Sequence, residues 1–272
     1  MKEVDKCYAD NEAMWDDFAE LHYESPSYKT KEFLEGECVL NSFEIEELGP
    51  YVDGSSLLHL QCHFGLDTLS WARKGAQVTG VDISGKAIEF ARILAEQSKL
   101  AARFIKSNIY NLPDVLDEQF DIIFTSYGVL CWLKDLNRWA EIIHHYLKDG
   151  GLFYIVEFHR FMWIFNWEGE ETPKISHSYF HDPTPLSYTT EGSYAESDKK
   201  CEQKEGHEWA HTMSDVINAL IGVGLEIQYI HEFPKAPFKN YPFLKKTEDG
   251  YYRYNHPTIE LPLTFSIMAK KE

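Results

Sequence analysis

Between Leu57 and Val156, short apolar segments alternate with segments of helical periodicity, and this alternation limits the possible folds more than any other feature. The apolar segments predict strands at 57–60, 77–82, 102–105, 120–124 and 152–156. Strands that are apolar along their whole length are typical of a parallel sheet covered by helices on both faces. The pattern therefore predicts an α/β, Rossmann-like, doubly wound sheet.

The flanking regions add helices, loops and two more strands. Thr212 to Asp215 resembles a capping box that opens a helix reaching Ile221, and strands are predicted at 225–230 and 263–268. Proline and aromatic residues interrupt the periodicity after residue 158, which predicts an inserted cap and a substrate loop. The sequence thus predicts a single domain, 1–272, with a helical extension (1–55), a cofactor-binding core (56–158), a cap (159–210) and a C-terminal part (211–272).

Composition argues against several partners. The 272 residues include 44 acidic and 26 basic side chains, a formal charge of -18, which would repel nucleic acid and an anionic membrane surface. No apolar stretch approaches the roughly 20 residues that span a bilayer. Five widely spaced cysteines predict reduced thiols in a cytoplasmic protein: Cys7, Cys38, Cys62, Cys131 and Cys201. No sequence feature fixes an oligomeric state.

Candidate binding residues follow the first two strands, because ligands of open parallel sheets bind beyond the carboxyl ends of the strands. The turn from Gln61 to Gly65 must bend sharply into a helix, and a glycine suits both that bend and a close ligand. Asp82 ends the second strand, where a carboxylate can accept hydrogen bonds from two ribose hydroxyls. Together they favour a nucleoside-like ligand over a plain turn and a helix-capping acid.

A third candidate follows strand three. Asn108 could accept a hydrogen bond from an adenine amino group while Ile109 packs on the ring, although an isolated asparagine is also a common turn former.

Residues 57–156 resemble the class I S-adenosylmethionine-dependent methyltransferases over roughly the central two fifths of the chain. The matching segments, in order, read LLHLQCHFGLDTLSWA, VTGVDIS, IKSNIYNLP, FDIIFTSYGVL and LKDGGLFYIVEF. The resemblance implies a seven-stranded sheet with an antiparallel last strand and S-adenosylmethionine as cofactor. It also implies where the cofactor contacts lie: Leu60, Gln61, Cys62, His63 and Gly65 in the first turn, Asp82 and Ile83 at the ribose, Asn108 and Ile109 at adenine, and Ser126 and Tyr127 near the methyl group.

The first turn departs from the family pattern, acid-x-Gly-x-Gly-x-Gly. His59 stands at the acid position, Gln61 and His63 replace the first two glycines, and only Gly65 remains. Histidine is among the residues that tolerate positive φ, so His63 can still take the glycine conformation. The missing carboxylate leaves open how the methionine ammonium is held.

Methyl transfer from a sulfonium is an in-line displacement that needs a positioned nucleophile and a dry site. Aromatic faces stabilise the cation, and Trp15, Tyr28, Tyr127 and Trp132 are candidates, each equally suited to core packing. His159, just past strand five, is a candidate general base, although a lone histidine is more often structural. The predicted acceptor is a small, partly apolar or aromatic molecule bound by the cap and by residues 233–254.

Three other functions compete with methyl transfer. A non-catalytic S-adenosylmethionine or nucleoside-binding module would use the same fold. His207 to His211 spells HExxH, a zinc metallohydrolase pattern, but Gly206 and the cap at Thr212 place both histidines outside a helix, so no metal site is predicted. An oxidoreductase is disfavoured because the turn lacks GxGxxG.

Overall fold

The computed structural model describes residues 3–166, 172–180, 182–195 and 204–272. Its centre is a seven-stranded sheet in the order β3-β2-β1-β4-β5-β11-β8. The strands of this sheet are β1 (Ser56–Leu60), β2 (Gln77–Asp82), β3 (Ala102–Lys106), β4 (Phe120–Ser126), β5 (Leu147–Phe158), β8 (Leu225–Phe233) and β11 (Thr264–Lys271). Two smaller antiparallel pairs are β6 (Leu186–Thr190) with β7 (Lys204–Glu208), and β9 (Leu244–Lys246) with β10 (Tyr252–Tyr254).

The topology confirms the predicted fold class. Strands β1 to β5 pair in parallel, and β11 runs antiparallel to both of its neighbours, β5 and β8. The prediction was wrong at the start of β5. The predicted strand covers 152–156, whereas the observed strand begins at Leu147 and includes Gly150 and Gly151. Its pairing with β4 shifts register after Phe120.

The described residues form seven α-helices, and three of them begin at a side chain that accepts a hydrogen bond from a backbone amide. They are α1 (Glu3–Glu24), α2 (Thr30–Leu34), α3 (Ser42–Glu47), α4 (Leu66–Arg73), α5 (Gly85–Ser98), α6 (Leu136–Tyr146) and α7 (Met213–Gly222). The predicted caps are present, since Ser84 Oγ accepts from the amide of Ala87 and Thr212 forms a complete capping box with Asp215. Among the described residues, no helix is both long and apolar enough to cross a membrane.

Apolar side chains cover both faces of the sheet. On one face, Trp139 and Tyr146 of α6 pack with α7 in the largest buried cluster. On the other face, Trp71 of α4 packs against β1 and β4, and residues of α5 extend this layer towards the N-terminal segment. The sheet is therefore buried on both sides, as its continuously apolar strands predict.

The predicted N-terminal extension contacts the predicted cap. Helix α1 packs against α5 and against β7. The side chain of Asn11 pairs with the main chain of His207 in both directions, donating to the carbonyl at 2.9 Å and accepting from the amide at 2.8 Å. Four cysteines of the described residues are not joined in disulfides: Cys7, Cys38, Cys62 and Cys131. Cys201 lies outside the described residues.

Candidate functional site

The turn after β1 keeps a backbone suited to glycine although two of its three glycine positions carry side chains. The φ angles are 57° at Gln61, 50° at His63 and 77° at Gly65. A left-handed conformation costs a residue with a Cβ atom roughly 1 kcal/mol or more, so the turn stores strain at two positions. Gly65 cannot be replaced by a residue with a side chain, because a Cβ atom there would lie 2.7 Å from the ring of Phe104.

Two residues of this turn can offer a ligand only their backbone. The side chains of Leu60 and Cys62 are buried in the core, at 0% and 4% exposure. Gln61 and His63 instead point to other parts of the site: Gln61 Nε2 donates to the carbonyl of Val129 at 3.0 Å.

Asp82 holds the turn from the end of β2. Its Oδ2 accepts from the amide of His63 at 2.8 Å, and its Oδ1 accepts from the amide of Ser84 at 2.9 Å. The side chain is partly accessible, yet its surroundings remove enough water to raise the pKa of the carboxyl to about 6. Each oxygen has a further acceptor position, so Asp82 can still bind a ligand hydroxyl.

The structure gives less support to the predicted adenine contacts than to the predicted ribose contact. Asn108 Oδ1 accepts from the amide of Tyr110 at 3.0 Å and caps a 3-10 turn at Ile109–Asp114. This is the turn-forming role, so contact of Asn108 with adenine stays a prediction. Ile109 is 6% exposed within the core, whereas Ile83 beside Asp82 is half-buried.

An aromatic cluster covers the turn after β1. The ring centroid of Trp15 lies 5.3 Å from that of His63 and 5.3 Å from that of Trp132, and Tyr28 lies 5.5 Å from His63. His22 links them, because its Nδ1 lies 2.9 Å from His63 Nε2 and its ring stacks on Tyr28. The N-terminal segment thus folds over the turn after β1, and contact of Trp15 and Tyr28 with a cofactor stays a prediction.

The turn after β4 is fixed by an acid from β5. Tyr127 and Gly128 have φ angles of 27° and 74°, and the carboxylate of Glu157 accepts from the amides of Gly128, Val129, Leu130 and Phe158. Glu157 is 4% exposed, so these bonds satisfy it completely.

The first two residues of this turn face α3 and α4. Ser126 Oγ donates to Asp67 Oδ2 at 3.1 Å, while the hydroxyl of Tyr127 accepts from Asn41 Nδ2 at 3.4 Å. Tyr127 therefore lies apart from Trp15 and Tyr28, next to Phe158 and Phe238.

His159 has a structural position. Its Nδ1 accepts from the amide of Phe161 at 3.0 Å and caps the 3-10 turn at Arg160–Ile164, and its Nε2 bonds Glu232 Oε1 at 2.8 Å. Both ring nitrogens are engaged, and burial lowers the pKa of the ring. The role of His159 as a general base stays a prediction that these contacts argue against.

The HExxH segment has no helical geometry, as the sequence analysis anticipated. His207 and Glu208 end strand β7, whereas His211 precedes the cap of α7. His207 does lie near Asp10 and Glu205, but Lys6 Nζ is 2.8 Å from an oxygen of each acid. An ammonium group thus already takes the place that a cation would occupy.

The sequence analysis missed five polar residues of the site. They reach it through long-range packing, which leaves no local signal: Asp16, His22, Glu44, Asp67 and Glu157. Asp67 alone could have been suspected, since it opens the helix after the first turn.

Comparisons with known proteins find similarity to methyltransferases. A model of the methyltransferase domain matches residues 58–155. An uncharacterized methyltransferase of Synechocystis is 32% identical over 114 residues, 41% of this chain and 51% of that protein. A ubiquinone biosynthesis O-methyltransferase of Chelativorans is 32% identical over 108 residues, 40% of this chain and 42% of that protein. The chain thus spans about half the length of these relatives.

Solved structures share the fold. A putative S-adenosylmethionine-dependent methyltransferase from Listeria monocytogenes has a TM-score of 0.57 at 18% identity, with 85% of this chain and 97% of that chain covered. A methyltransferase from Mesorhizobium loti, also described as S-adenosylmethionine-dependent, has a TM-score of 0.57 at 18% identity, covering 88% of this chain and 100% of that one.

Proposed function

Because residues 58–155 form a class I S-adenosylmethionine-dependent methyltransferase domain, we propose that this protein binds S-adenosylmethionine and transfers its methyl group to a small-molecule acceptor. The cofactor would lie across the carboxyl ends of β1 and β2, with its ribose at Asp82 and its adenine near Ile83, Asn108 and Ile109.

The observation that carries the proposal is the pairing of Asp82 with the turn after β1. The turn keeps left-handed φ angles at Gln61 and His63 although neither is glycine, which is unfavourable in a chain without a reason to keep that shape. A partly accessible carboxylate beside it then offers two oxygens to a ribose diol. Strain retained next to an open carboxylate is typical of a binding site.

An adjoining crevice supports a small acceptor. It lies beside the turn after β4 and is lined by residues that include Gly128, Cys131, Phe158, Arg160 and Trp209. Its lining also includes Glu157, His211 and Thr212, and its volume of about 30 Å³ has room for a small group of an acceptor but not for a polymer. The formal charge of -18 further disfavours a nucleic-acid acceptor.

The chain itself would contribute mainly position and shielding. Bound S-adenosylmethionine supplies an electrophilic methyl group on a sulfonium. Trp15 and Trp132, which contact each other beside the turn after β1, would exclude water from the cofactor and present aromatic faces to a nearby positive charge. Tyr127, at the end of β4, would orient the acceptor. In-line displacement then needs no further catalytic group when the acceptor atom already carries a free electron pair.

Titration calorimetry with S-adenosylhomocysteine tests the proposal. The wild-type protein should bind this product, and Asp82→Ala should weaken binding about 100-fold or more, because it removes charge-assisted hydrogen bonds to the ribose. Asp117→Asn, an exposed acid on the loop before β4, is the matched control and should bind like the wild type. Absence of binding to the wild-type protein would refute the proposal.

A non-catalytic binding module is the second candidate, because the turn after β1 departs from its family pattern. A screen of small acceptors with methyl-labelled S-adenosylmethionine separates the two functions. Labelled product that disappears with Asp82→Ala supports methyl transfer. Tight binding without product from any acceptor supports the module.

A further inference from the structure

His59 stands where the family pattern has an acid, but it cannot bind a positively charged group of a ligand. His59 is 2% exposed, and its Nδ1 lies 2.8 Å from Thr68 Oγ1. Burial lowers the pKa of the ring to about 3, so the imidazole is neutral at physiological pH. Its Nε2 has no hydrogen-bond partner. A neutral ring at this position cannot replace a carboxylate facing the amino-acid end of the cofactor.

An acid stands nearby on the first turn of α4. Asp67 Oδ2 accepts from Ser126 Oγ at 3.1 Å, which places the carboxylate between the end of β4 and the turn after β1. The side chain is partly accessible, although desolvation raises the pKa of Asp67 to about 6. Among the described residues, no lysine or arginine forms an ion pair with it.

A second acid, Glu44 of α3, completes the pair. Glu44 is 0% exposed, and its Oε2 has no hydrogen-bond partner. Its Oε1 accepts a long bond of 3.5 Å from Asn41 Nδ2, and the hydroxyl of Tyr127 also hydrogen-bonds with the carboxyl group. Desolvation, and then the charge of Asp67, raise the pKa of Glu44 to about 8. Two carboxyl groups thus share a desolvated space, and one oxygen has no donor.

Neither carboxyl group forms an ion pair with a cationic side chain among the described residues, so the ligand-free chain favours protonation of Glu44 over a second buried charge. A cation supplied by a ligand would pair with the ionised Asp67 and would lower the pKa of Glu44. The carboxyl ends of β1 and β4, where Asp67 lies, are also where the proposed cofactor crosses the sheet.

We propose that Asp67 and Glu44 form the subsite for the α-ammonium group of the cofactor's methionine end, replacing the acid that His59 displaced. This inference rests on the proposed function. Asp67 carries the charge that pairs with the ammonium, and Glu44 accepts a further N–H through its free Oε2. Tyr127 lies beside the subsite, where its hydroxyl accepts from Asn41 Nδ2.

The test compares two ligands that differ at the amino-acid end. S-adenosylhomocysteine carries the α-ammonium group, whereas 5′-methylthioadenosine has the same nucleoside and a thioether but no amino acid. Calorimetry on the full chain should show Asp67→Asn weakening S-adenosylhomocysteine about 30-fold and methylthioadenosine less than about twofold. Glu44→Gln should weaken S-adenosylhomocysteine by a smaller factor, since it removes less charge.

Two controls keep the test decisive. Asp117→Asn, the exposed acid used above, should bind both ligands like the wild type. Thermal unfolding of the ligand-free protein should show Asp67→Asn at least as stable as the wild type, because the change removes an uncompensated charge.

Several outcomes overturn the inference. It fails if Asp67→Asn binds S-adenosylhomocysteine as tightly as the wild type does, or if it weakens both ligands by the same factor. A wild-type protein that binds neither ligand would instead refute the proposed function, so the two failures can be told apart.

Discussion

Two turns at neighbouring strand ends are each held by a carboxylate, but the two carboxylates differ in what they leave free. Asp82 of β2 accepts from two backbone amides at the turn after β1 and stays partly accessible. Glu157 of β5 accepts from four amides at the turn after β4 and is 4% exposed. A carboxylate at the end of a strand thus keeps acceptor positions for a ligand in one turn, whereas its acceptor positions are occupied by backbone amides in the other.

This difference predicts which carboxylate acts in ligand binding and which one stabilises the fold. A carboxylate whose acceptor positions are all occupied can only stabilise the chain around it, whereas one with unused positions can exchange water for ligand hydroxyls. We therefore expect changes at Glu157 to alter stability, and changes at Asp82 to alter ligand affinity.

Glu157→Gln gives the largest expected effect on stability. The amide group of glutamine would place N–H donors against amides that need an acceptor, so the free energy of unfolding should fall by about 3 kcal/mol. Urea denaturation followed by tryptophan fluorescence measures it, with Asp117→Asn as control. An unchanged midpoint would show that the four hydrogen bonds are dispensable, and the contrast with Asp82 would lose its basis.

Acidic pH should weaken ligand binding through the open carboxylates. The pKa values of Asp82 and Asp67 are raised to about 6, so both lose their charge as the pH falls from 7 to 5. The affinity for S-adenosylhomocysteine should then fall about tenfold for each carboxylate that must be ionised. Calorimetry at pH 5, 6 and 7 measures this change.

Stability of the ligand-free protein should respond in the opposite sense. Because the pKa of each group is higher in the folded than in the unfolded chain, the folded state binds protons more tightly, and these two groups lower stability as the pH rises from about 4 to 6. Thermal unfolding with and without ligand separates the two effects. An affinity that stays constant between pH 7 and 5 would contradict the assigned role of Asp82.

His63 and Gly65 are both left-handed, but substitutions there should differ in their effect on stability, and His63→Gly gives the smallest expected effect. His63→Gly relieves a left-handed residue but removes the contact with His22, so the free energy of unfolding should change by less than about 1 kcal/mol. Gly65→Ala should cost about 2 kcal/mol or more, since its Cβ would meet Phe104. Paired urea titrations compare them. Equal losses would show that the two positions are equivalent.

Much of the central sheet could be predicted from sequence because its signals are local. An apolar run predicts a buried strand, and Ser84 and Thr212 cap helices within three residues of themselves. Asp82 could be found for the same reason, since it directly ends a strand. The left-handed conformation of His63 followed from the tolerance of histidine for positive φ.

The rest of the site depends on contacts distant in sequence. Glu44 reaches Asp67 from another helix, and Glu157 lies 28 residues beyond the amide of Val129 that it binds. From the sequence, His159 is a candidate base because it follows the fifth predicted strand, at the edge of the sheet where ligands bind. Its orientation is set by Glu232, 73 residues later, and no local pattern reports that contact.

The reciprocal bonds between Asn11 and the main chain of His207 join positions 196 residues apart. Helix α1 packs against β7 and carries Trp15 over the turn after β1, so this covering layer can form only after most of the chain is available. A chain cut after β5 would retain the ends of β1, β2 and β4 but would leave α1 without its contacts with β7. Assembly of the binding site should therefore be among the last events of folding, since contacts between such distant segments form slowly.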